Sequence, residues 1–217
     1  MRIFTAFPLE DVARRDLYSG YERVRKDLDA VRWVAEENLH ITLIFFGEMK
    51  PRELDELLEA LESEPSGPDS SGSSPGGPTG DEAGLSRPSR FRVEYRGIEC
   101  FPPKGKPKVI YSRITAGTAE CVEVWRRLIG RLASAGMSGV GGSQKTGSPG
   151  GGAVKPYIPH ITLGRIKAKG YYPRPDNYGE ISGGFEVSSF GVFESKLTPD
   201  GPVYRLVQNF SLGDKTV

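Results

Sequence analysis

The tetrapeptide His-Ile-Thr-Leu occurs twice in this chain, at residues 40–43 and again at residues 160–163. The chain has two histidines in all, and each of them opens one copy of the tetrapeptide. Both copies lie in short, apolar, β-branched stretches bounded by glycine or proline, which is a composition typical of strands. Because side chains alternate between the two faces of a strand, each histidine shares a face with the threonine two residues later. The repeat therefore predicts two strands. Each buries an isoleucine and a leucine on one face and presents an imidazole and a hydroxyl on the other face.

The polar faces of the two strands carry groups suited to phosphate chemistry. Imidazole has an unperturbed pKa of about 6.5, so His40 and His160 can divide the work of a general acid and a general base. Thr42 and Thr162 would each add a neutral hydrogen-bond donor at a fixed reach, which suits a tetrahedral anion such as phosphate. If the two strands are halves of a duplicated fold, these four side chains can meet across a groove.

Arg165 is a further candidate for binding phosphate, because its guanidinium can hold two oxygens at once. It follows His160 by five residues. A regular strand would place it on the opposite face, so it reaches the groove only if the strand bulges or bends, for which Gly164 is suited. The first copy has Phe45 at the equivalent position. The two halves are therefore not chemically interchangeable.

Metal binding is the main alternative use of the two histidines. A zinc site usually has three or four protein ligands, and no cysteine or carboxylate is patterned beside either histidine. We therefore expect no metal and no other cofactor. A purely structural role is common for one histidine in a strand, but it does not account for two identical tetrapeptides.

The charge balance limits how the chain can contact nucleic acid. The formal net charge of the 217 residues is +1, whereas proteins that coat long nucleic acids usually carry a basic excess. Contact with nucleic acid is therefore expected to be local, at the end of a strand. A lysine cluster in the turn FPPKGKPK, formed by Lys104, Lys106 and Lys108, fits such a role.

Three aromatic residues near these motifs are candidate platforms for an unstacked base. They are Phe46 and Tyr157, close in sequence to the two histidines, and Phe101, next to the lysine cluster. Aromatic side chains of strands more often pack in a core, which is the alternative for all three.

The sequence also bears on the compartment. No apolar run approaches the roughly 20 residues that span a bilayer, and the N-terminus has the pattern of a strand that enters a helix. Cys100 and Cys121 lack metal-ligand spacing and are typical of free thiols in a reducing compartment. We expect a cytoplasmic protein that makes no membrane contact.

The remaining periodicities alternate between strand and helix. Besides the second histidine strand, strands are predicted over 2–7, 31–34, 39–46, 91–100, 109–114, 185–195 and 203–212, and helices over 9–30, after Pro51 and from Thr118 to Gly136. Two segments rich in Ser, Gly and Pro, about 64–88 and 138–153, predict flexible insertions, and the second lacks the ending of a phosphate-binding P-loop. The element order indicates an α+β fold of two lobes, each an antiparallel sheet backed by helices.

Several blocks of the sequence resemble the 2H phosphoesterase superfamily, and within it the RNA 2′,3′-cyclic phosphodiesterases, long called 2′-5′ RNA ligases. The blocks are MRIFTAF, ENLHITLIFFGE, RGIECFPPKGKPKVIYSRI, PHITLGRIK and FESKLTPDGPVYRLVQNFSL, so the resemblance covers nearly the whole chain. It implies one bilobal domain over residues 1–217, a duplicated fold in which two antiparallel sheets face each other across a central groove with the helices outside. The two insertions are longer and richer in glycine than this family leads us to expect.

The resemblance also implies a reaction, the metal-independent hydrolysis of RNA 2′,3′-cyclic phosphate ends to 2′-phosphomonoesters. It implies that His40 is the proton donor and His160 the proton acceptor, while Thr42, Thr162 and Arg165 hold the phosphate. The protein would then act as a monomer on RNA ends or oligonucleotides that carry the cyclic phosphate. The alternatives are 2′-5′ ligation of tRNA halves, hydrolysis of another cyclic nucleotide, and a non-catalytic module that binds RNA ends.

Overall fold

The computed structural model describes residues 1–62, 88–103, 106–137, 157–167, 181–199 and 201–214. Within these residues the strands are β1 Arg2–Pro8, β2 Val31–Trp33, β3 His40–Glu48, β4 Phe91–Phe101, β5 Val109–Ala116, β6 His160–Ile166, β7 Ser182–Val187, β8 Ser189–Thr198 and β9 Gly201–Ser211. The helices are α1 Asp11–Gly20, α2 Glu22–Asp27, α3 Pro51–Glu62 and α4 Thr118–Ser134, and a 3₁₀ turn at Glu36–Asn38 leads into β3.

The strands form two antiparallel halves that meet at the two histidine strands. The first half has the order β3-β1-β8-β9, and the second has the order β7-β4-β5-β6. β3 pairs with β6 at Ile41 and Ile161, and β2 pairs with β6 beyond that point. The predicted α+β architecture of two antiparallel halves is confirmed. The structure adds that the halves are joined edge to edge into one continuous sheet.

The motif strands bury the residues that the alternation predicts. Ile41, Leu43, Ile161 and Leu163 are at most 1% exposed and belong to the core, whereas the histidine and threonine of each copy are half-buried on the other face. Burying four large aliphatic side chains contributes about 1.5–3 kcal/mol each, which anchors the strands whose opposite face carries the polar groups.

The prediction of one strand over 185–195 is wrong. The chain leaves the sheet at Ser188, so that β7 pairs with β4 in the second half while β8 pairs with β1 in the first half. The buried apolar residues change phase there, since Phe185 and Val187 alternate on one side of the break and Phe190 and Val192 on the other. One continuous strand cannot bury both pairs on the same face, and the chain crosses between the halves instead.

The prediction of a single helix over 9–30 is also wrong in one respect. The helix is interrupted at Tyr21, where φ is −109° and ψ is 19°, directly after Gly20. Glycine is a poor helix former, and the break leaves Leu17, Tyr21 and Val24 all buried. The apolar face predicted from the periodicity is therefore retained across two shorter helices.

Gly164 marks the point where β2 lies against β6. A Cβ at this position would lie 2.6 Å from Val31 Cγ1 and 3.0 Å from Trp33 Cε3, so a side chain would push β2 away. Gly164 pairs with Trp33, and the neighbouring pair is Arg32 with Arg165. The absence of a side chain at 164 thus sets how closely these two arginines approach.

We expect Gly164→Ala to lower the free energy of unfolding by about 1–3 kcal/mol, the usual cost of overpacking. Gly130→Ala is the matched control, because Gly130 lies inside α4 with no atom within 4 Å of its Cβ position. Alanine is the better helix former, so the control should be neutral or slightly stabilised. Urea unfolding followed by tryptophan fluorescence measures both variants, and equal stability for the two would contradict the close packing of β2 on β6.

Candidate active site

The polar faces of both motif strands border one pocket between the two halves of the sheet. His40 and Thr42 from β3 and Thr162 and Arg165 from β6 line it, and the remaining lining residues are Phe4, Val34, Phe45, Ser195 and Tyr204. His160 lies on β6, on the face that Thr162 shares, and its charge acts on His40. Four of the five site residues predicted from the sequence therefore line one pocket, and the fifth, His160, lies two residues before Thr162 on the same face of β6 without lining it.

Each histidine is oriented by the same local hydrogen bond. Nδ1 of His40 donates to the Asn38 carbonyl at 2.7 Å, and Nδ1 of His160 donates to the Ile158 carbonyl at 2.9 Å. A carbonyl oxygen can only accept, so Nδ1 carries the proton in both neutral rings and Nε2 is left with its lone pair. Both imidazoles are thus held in the tautomer in which Nε2 can take up or release a proton.

Burial dominates the protonation of His40. Its desolvated position lowers the pKa of His40 to about 4, the Asn38 carbonyl opposes this effect, and the charge of His160 adds to it. The rings of Phe4 and Tyr204 lie 5.1 and 5.4 Å from the imidazole, centroid to centroid. In the neutral ring Nε2 accepts a hydrogen bond from Thr42 Oγ1 at 2.9 Å. An anion bound in the pocket would favour the protonated form and raise this pKa.

Both motif strands contain a bulge directly after the threonine. On β6, Tyr111 lies opposite Thr162 and Ile110 lies opposite Gly164, which leaves Leu163 as the extra residue. On β3, the partners of β1 leave Leu43 as the extra residue in the same way. A bulge shifts the alternation of side chains by one, so the fifth residue after each histidine returns to the face of the groove.

These bulges explain why Arg165 and Phe45 line the same pocket. The irregularity that Arg165 needs is present, centred on Leu163 immediately before Gly164. Arg165 is exposed and forms no salt bridge with any carboxylate in the described part of the chain. Its charge acts on Tyr204, whose pKa is raised by burial. An uncompensated guanidinium beside two threonine hydroxyls is a suitable site for an anion.

Phe46 and Tyr157 are not platforms for a base, which corrects that prediction. They are 5% and 8% exposed, because both rings pack into the core and leave no face free for stacking. Tyr157 is structural in a specific way, since its hydroxyl donates to the Thr42 carbonyl at 3.0 Å and its ring stacks on Trp125.

Phe101 remains a candidate platform, since it is 56% exposed at the end of β4. It lies opposite Val109 of β5, which in turn lies opposite Arg165. Lys106 and Lys108 of the neighbouring turn are exposed, and Lys104 lies outside the described residues. The exposed ring and the two lysines are thus one strand removed from Arg165.

Two groups of site residues were missed by reasoning from the sequence. One is the aromatic wall beside His40, in which Phe4 contacts both Phe193 and Tyr204. Tyr204 lies within the last predicted strand and lines the pocket. No sequence signal identified the wall, because Phe4 of β1 is far along the chain from Phe193 and Tyr204 of the hairpin formed by β8 and β9.

The other missed group lies beside His160. The ring of Tyr111 is 5.4 Å from that of His160, and its hydroxyl donates to Glu99 Oε2 at 2.7 Å. Arg113 lies opposite His160 on β5 and forms a 3.3 Å ion pair with Glu99 Oε1. Burial, with help from Glu99, raises the pKa of Tyr111 to about 12, so this hydroxyl keeps its proton at neutral pH. His160 thus has a polar surrounding, in contrast to the aromatic surrounding of His40.

Within the described residues, no group of three or more His, Cys, Asp or Glu side chains is placed to hold a metal ion, and the expectation of a metal-free site stays a prediction. None of the helices in these parts of the chain is both long and apolar enough to cross a membrane.

Comparison with known proteins gives a consistent picture. The model of the family described as LigT like Phosphoesterase matches residues 8–70 and 143–204. A Thermus thermophilus protein named RNA 2′,3′-cyclic phosphodiesterase is 32% identical over 212 residues, which cover 98% of this chain and 90% of that protein. A Methanocaldococcus jannaschii protein of the same name is 25% identical, covering 97% of this chain and all of the relative.

Solved structures agree on the fold. The crystal structure of TT0787 from Thermus thermophilus matches with a TM-score of 0.67 and 28% identity over the full length of both chains. The crystal structure of Escherichia coli LigT in its apo form matches with a TM-score of 0.63 over 98% of each chain, at 19% identity. The second likeness concerns the fold alone.

The low pKa of His40 predicts a pH-dependent loss of stability. The ring has a pKa of about 4 in the folded protein and about 6.5 when unfolded, so the unfolded state binds more protons between these values. Above pH 6.5 the ring is neutral in both states and contributes nothing to this dependence. As the pH falls from 6.5 to 4, we expect a loss that approaches about 3 kcal/mol.

Urea unfolding of the wild type and of His40→Gln at pH 7 and pH 4.5 measures this loss. The glutamine variant cannot take up the proton, so it should lose less stability over the same pH interval. Parallel losses in the two proteins would show that His40 is not the group responsible.

Proposed function

The chain belongs to the LigT-like phosphoesterase family, and from this premise we propose that it hydrolyses 2′,3′-cyclic phosphates at RNA ends to 2′-phosphomonoesters. One observation carries the proposal: His40, two threonines and an arginine without a described carboxylate partner line a single pocket, and His160 lies in the same tautomer on the face of β6 that Thr162 shares. The names of the relatives support RNA as the substrate. The aromatic and the polar surroundings of the two histidines support different roles for them.

In the proposed reaction His160 acts as the base. Its Nε2 takes a proton from a water molecule, and the water oxygen forms a bond to phosphorus. The bond between phosphorus and the 3′ oxygen breaks, and the protonated Nε2 of His40 gives its proton to that oxygen. The product is a 2′-phosphomonoester with a free 3′ hydroxyl. After the reaction His160 is protonated and His40 is neutral. Exchange of protons with solvent then restores the starting state of both rings.

The substrate itself prepares His40 for its role. The unbound ring is neutral at pH 7, because burial lowers its pKa to about 4. The negative charge of the bound phosphate favours the protonated ring, so binding and proton uptake are coupled. Protonated Nε2 no longer accepts from Thr42 Oγ1, and that hydroxyl is then available to donate to a phosphate oxygen.

Thr42, Thr162 and Arg165 are proposed to hold the phosphate oxygens. Phosphoryl transfer depends mainly on positioning and on donors aimed at the oxygens where charge develops. Arg165 suits this task because it lines the pocket and has no carboxylate partner in the described ranges. No cofactor is required by these steps.

We further propose that residues 1–217 form a single functional domain that acts as a monomer in the cytoplasm. The pocket takes residues from five strands of both halves, which supports one domain. Apart from Pro88, the proposed flexible insertions at about 64–88 and 138–153 lie outside the described residues. Cys121 is a free, buried thiol, which supports a reducing compartment.

A short RNA with a 2′,3′-cyclic phosphate end, incubated with the protein and EDTA, tests the proposal directly. Conversion of the terminus to a 2′-phosphate is the expected result. A joined 2′-5′ product would indicate a ligase, and tight binding without any conversion would indicate a binding module. Either result would contradict the proposed hydrolysis.

We expect His40→Ala and His160→Ala each to lower kcat by about two to four orders of magnitude, the usual contribution of an acid or a base. The double variant should be little slower than either single variant, because the two rings serve one proton exchange. Steady-state rates on the cyclic-phosphate RNA measure this effect, and Arg15→Gln on the exposed face of α1 is the control. Near-full activity in either single variant would refute the assignment.

We expect Arg165→Lys and Arg165→Ala to lose most activity while remaining folded, because lysine cannot make the two parallel hydrogen bonds of a guanidinium. Circular dichroism checks the fold, and kcat/KM on the same RNA measures the loss. Wild-type kinetics in the alanine variant would mean that Arg165 does not contact the phosphate.

A further inference from the structure

A second pocket, the adjoining pocket, opens directly beside the phosphate pocket, which is the pocket lined by His40, Thr42, Thr162 and Arg165. The two pockets share Val34, Arg165 and Tyr204. The other walls of the adjoining pocket are residues 32–38 with β2 and the 3₁₀ turn on one side, and the hairpin between β8 and β9 on the other. A molecule bound in the phosphate pocket can therefore extend into the adjoining pocket without crossing a barrier of backbone.

Two arginines of the adjoining pocket face each other across neighbouring strands. Arg32 of β2 lies directly opposite Arg165 of β6, and both line the pocket. Like charges placed directly opposite each other destabilise a sheet. Their juxtaposition therefore costs stability unless a negative group lies between or beside them.

The described part of the protein supplies no such negative group. Neither Arg32 nor Arg165 forms a salt bridge with a described carboxylate, whereas Arg113 and Arg205 of neighbouring strands pair with Glu99 and Glu194. Among the described residues that line the adjoining pocket, Glu37 is the one acidic residue, and it pairs with neither arginine. The two guanidiniums are thus available for an anion from outside.

The walls of the adjoining pocket are held in place by hydrogen bonds. The Asn38 side chain donates from Nδ2 to the Pro202 carbonyl at 2.7 Å and so fixes the hairpin between β8 and β9. The Val34 amide donates to the Leu163 carbonyl at 2.8 Å, and Trp33 Nε1 donates to the Leu28 carbonyl at 3.3 Å. A pocket whose sides are fixed in this way loses little freedom when a ligand binds.

We propose that Arg32 binds the second phosphate of the RNA, the phosphodiester on the 5′ side of the terminal nucleoside. This inference rests on the proposed function, which places the cyclic phosphate in the phosphate pocket. Arg165 then lies between the two phosphates, and the cross-strand repulsion in the free protein is relieved when both are bound. An oligonucleotide should therefore be a better substrate than a mononucleotide, although the protein has a net charge of only +1.

Three substrates separate charge from shape in the test of this proposal. They are uridine 2′,3′-cyclic phosphate, the dinucleotide UpU with a 2′,3′-cyclic phosphate end, and the same dinucleotide with a neutral methylphosphonate linkage. For the wild type we expect kcat/KM on the charged dinucleotide to exceed that on the other two by about 10- to 100-fold, the usual effect of a hydrogen bond to a charged group.

Variants of Arg32 then show whether this residue causes the preference. Arg32→Gln should reduce the ratio between the charged and the neutral dinucleotide to near one, and Arg32→Lys should retain part of it as a point charge. Arg15→Gln, an exposed helix position that lines neither pocket, should leave the ratio unchanged. The dependence of log KM on log salt for the charged dinucleotide should become shallower by about 0.7 in Arg32→Gln, the value for one phosphate contact of a single strand.

Two results would overturn the proposal: equal wild-type rates on the charged and neutral dinucleotides, or an unchanged ratio in Arg32→Gln. Hydrolysis of the mononucleotide tests the proposed function separately, since it does not involve the second phosphate. If no cyclic substrate were hydrolysed, that function would fail. Calorimetric binding of the two dinucleotides would then decide the inference, with tighter binding of the charged linkage in the wild type alone supporting it.

Discussion

The pairing of Ile41 with Ile161 is the contact on which the site depends. These residues join the two halves of the sheet, and both are fully buried. Opposed residues of an antiparallel pair point to the same face, so the residues on either side of each isoleucine point together to the other face. The register thus sets each histidine near the threonine of the opposite strand. One aliphatic pair in the core aligns four polar groups in the groove.

The bulges after the two threonines turn this symmetric frame into an asymmetric site. They bring position five of each motif to the pocket, where the first half has Phe45 and the second has Arg165. Aromatic rings then surround His40, whereas Tyr111, Glu99 and Arg113 surround His160. The two motif strands have the same backbone geometry, but different side chains surround their histidines. The two histidines therefore differ in electrostatics, as two distinct proton-transfer roles require.

The groove of the free protein holds charges and a buried imidazole that an anion would stabilise. His40 is kept neutral by burial, and Arg32 and Arg165 lie opposite each other without a described counter-ion. Each of these costs is relieved by a bound anion, through protonation in the first case and through charge compensation in the second. Binding of a polyanion is thereby coupled to the state in which the acid is ready, and a neutral molecule of similar shape gains neither benefit.

The sequence by itself determined the histidine and threonine pairs, the faces they occupy and the α+β class. The pairs and their faces follow from the alternation of side chains within a strand, which is a local property. The repeated tetrapeptide revealed this alternation. Tertiary structure alone decided that residues 182–198 divide between the two halves, that Phe46 and Tyr157 are core residues, and that Arg32 lies opposite Arg165. The two-residue alternation of a strand defines the face on which a side chain lies, but it does not define which strand pairs with it. Arg32 and Arg165 are far apart in the chain, and they lie opposite each other because the packing of the core selects one register of β2 and β6 out of many.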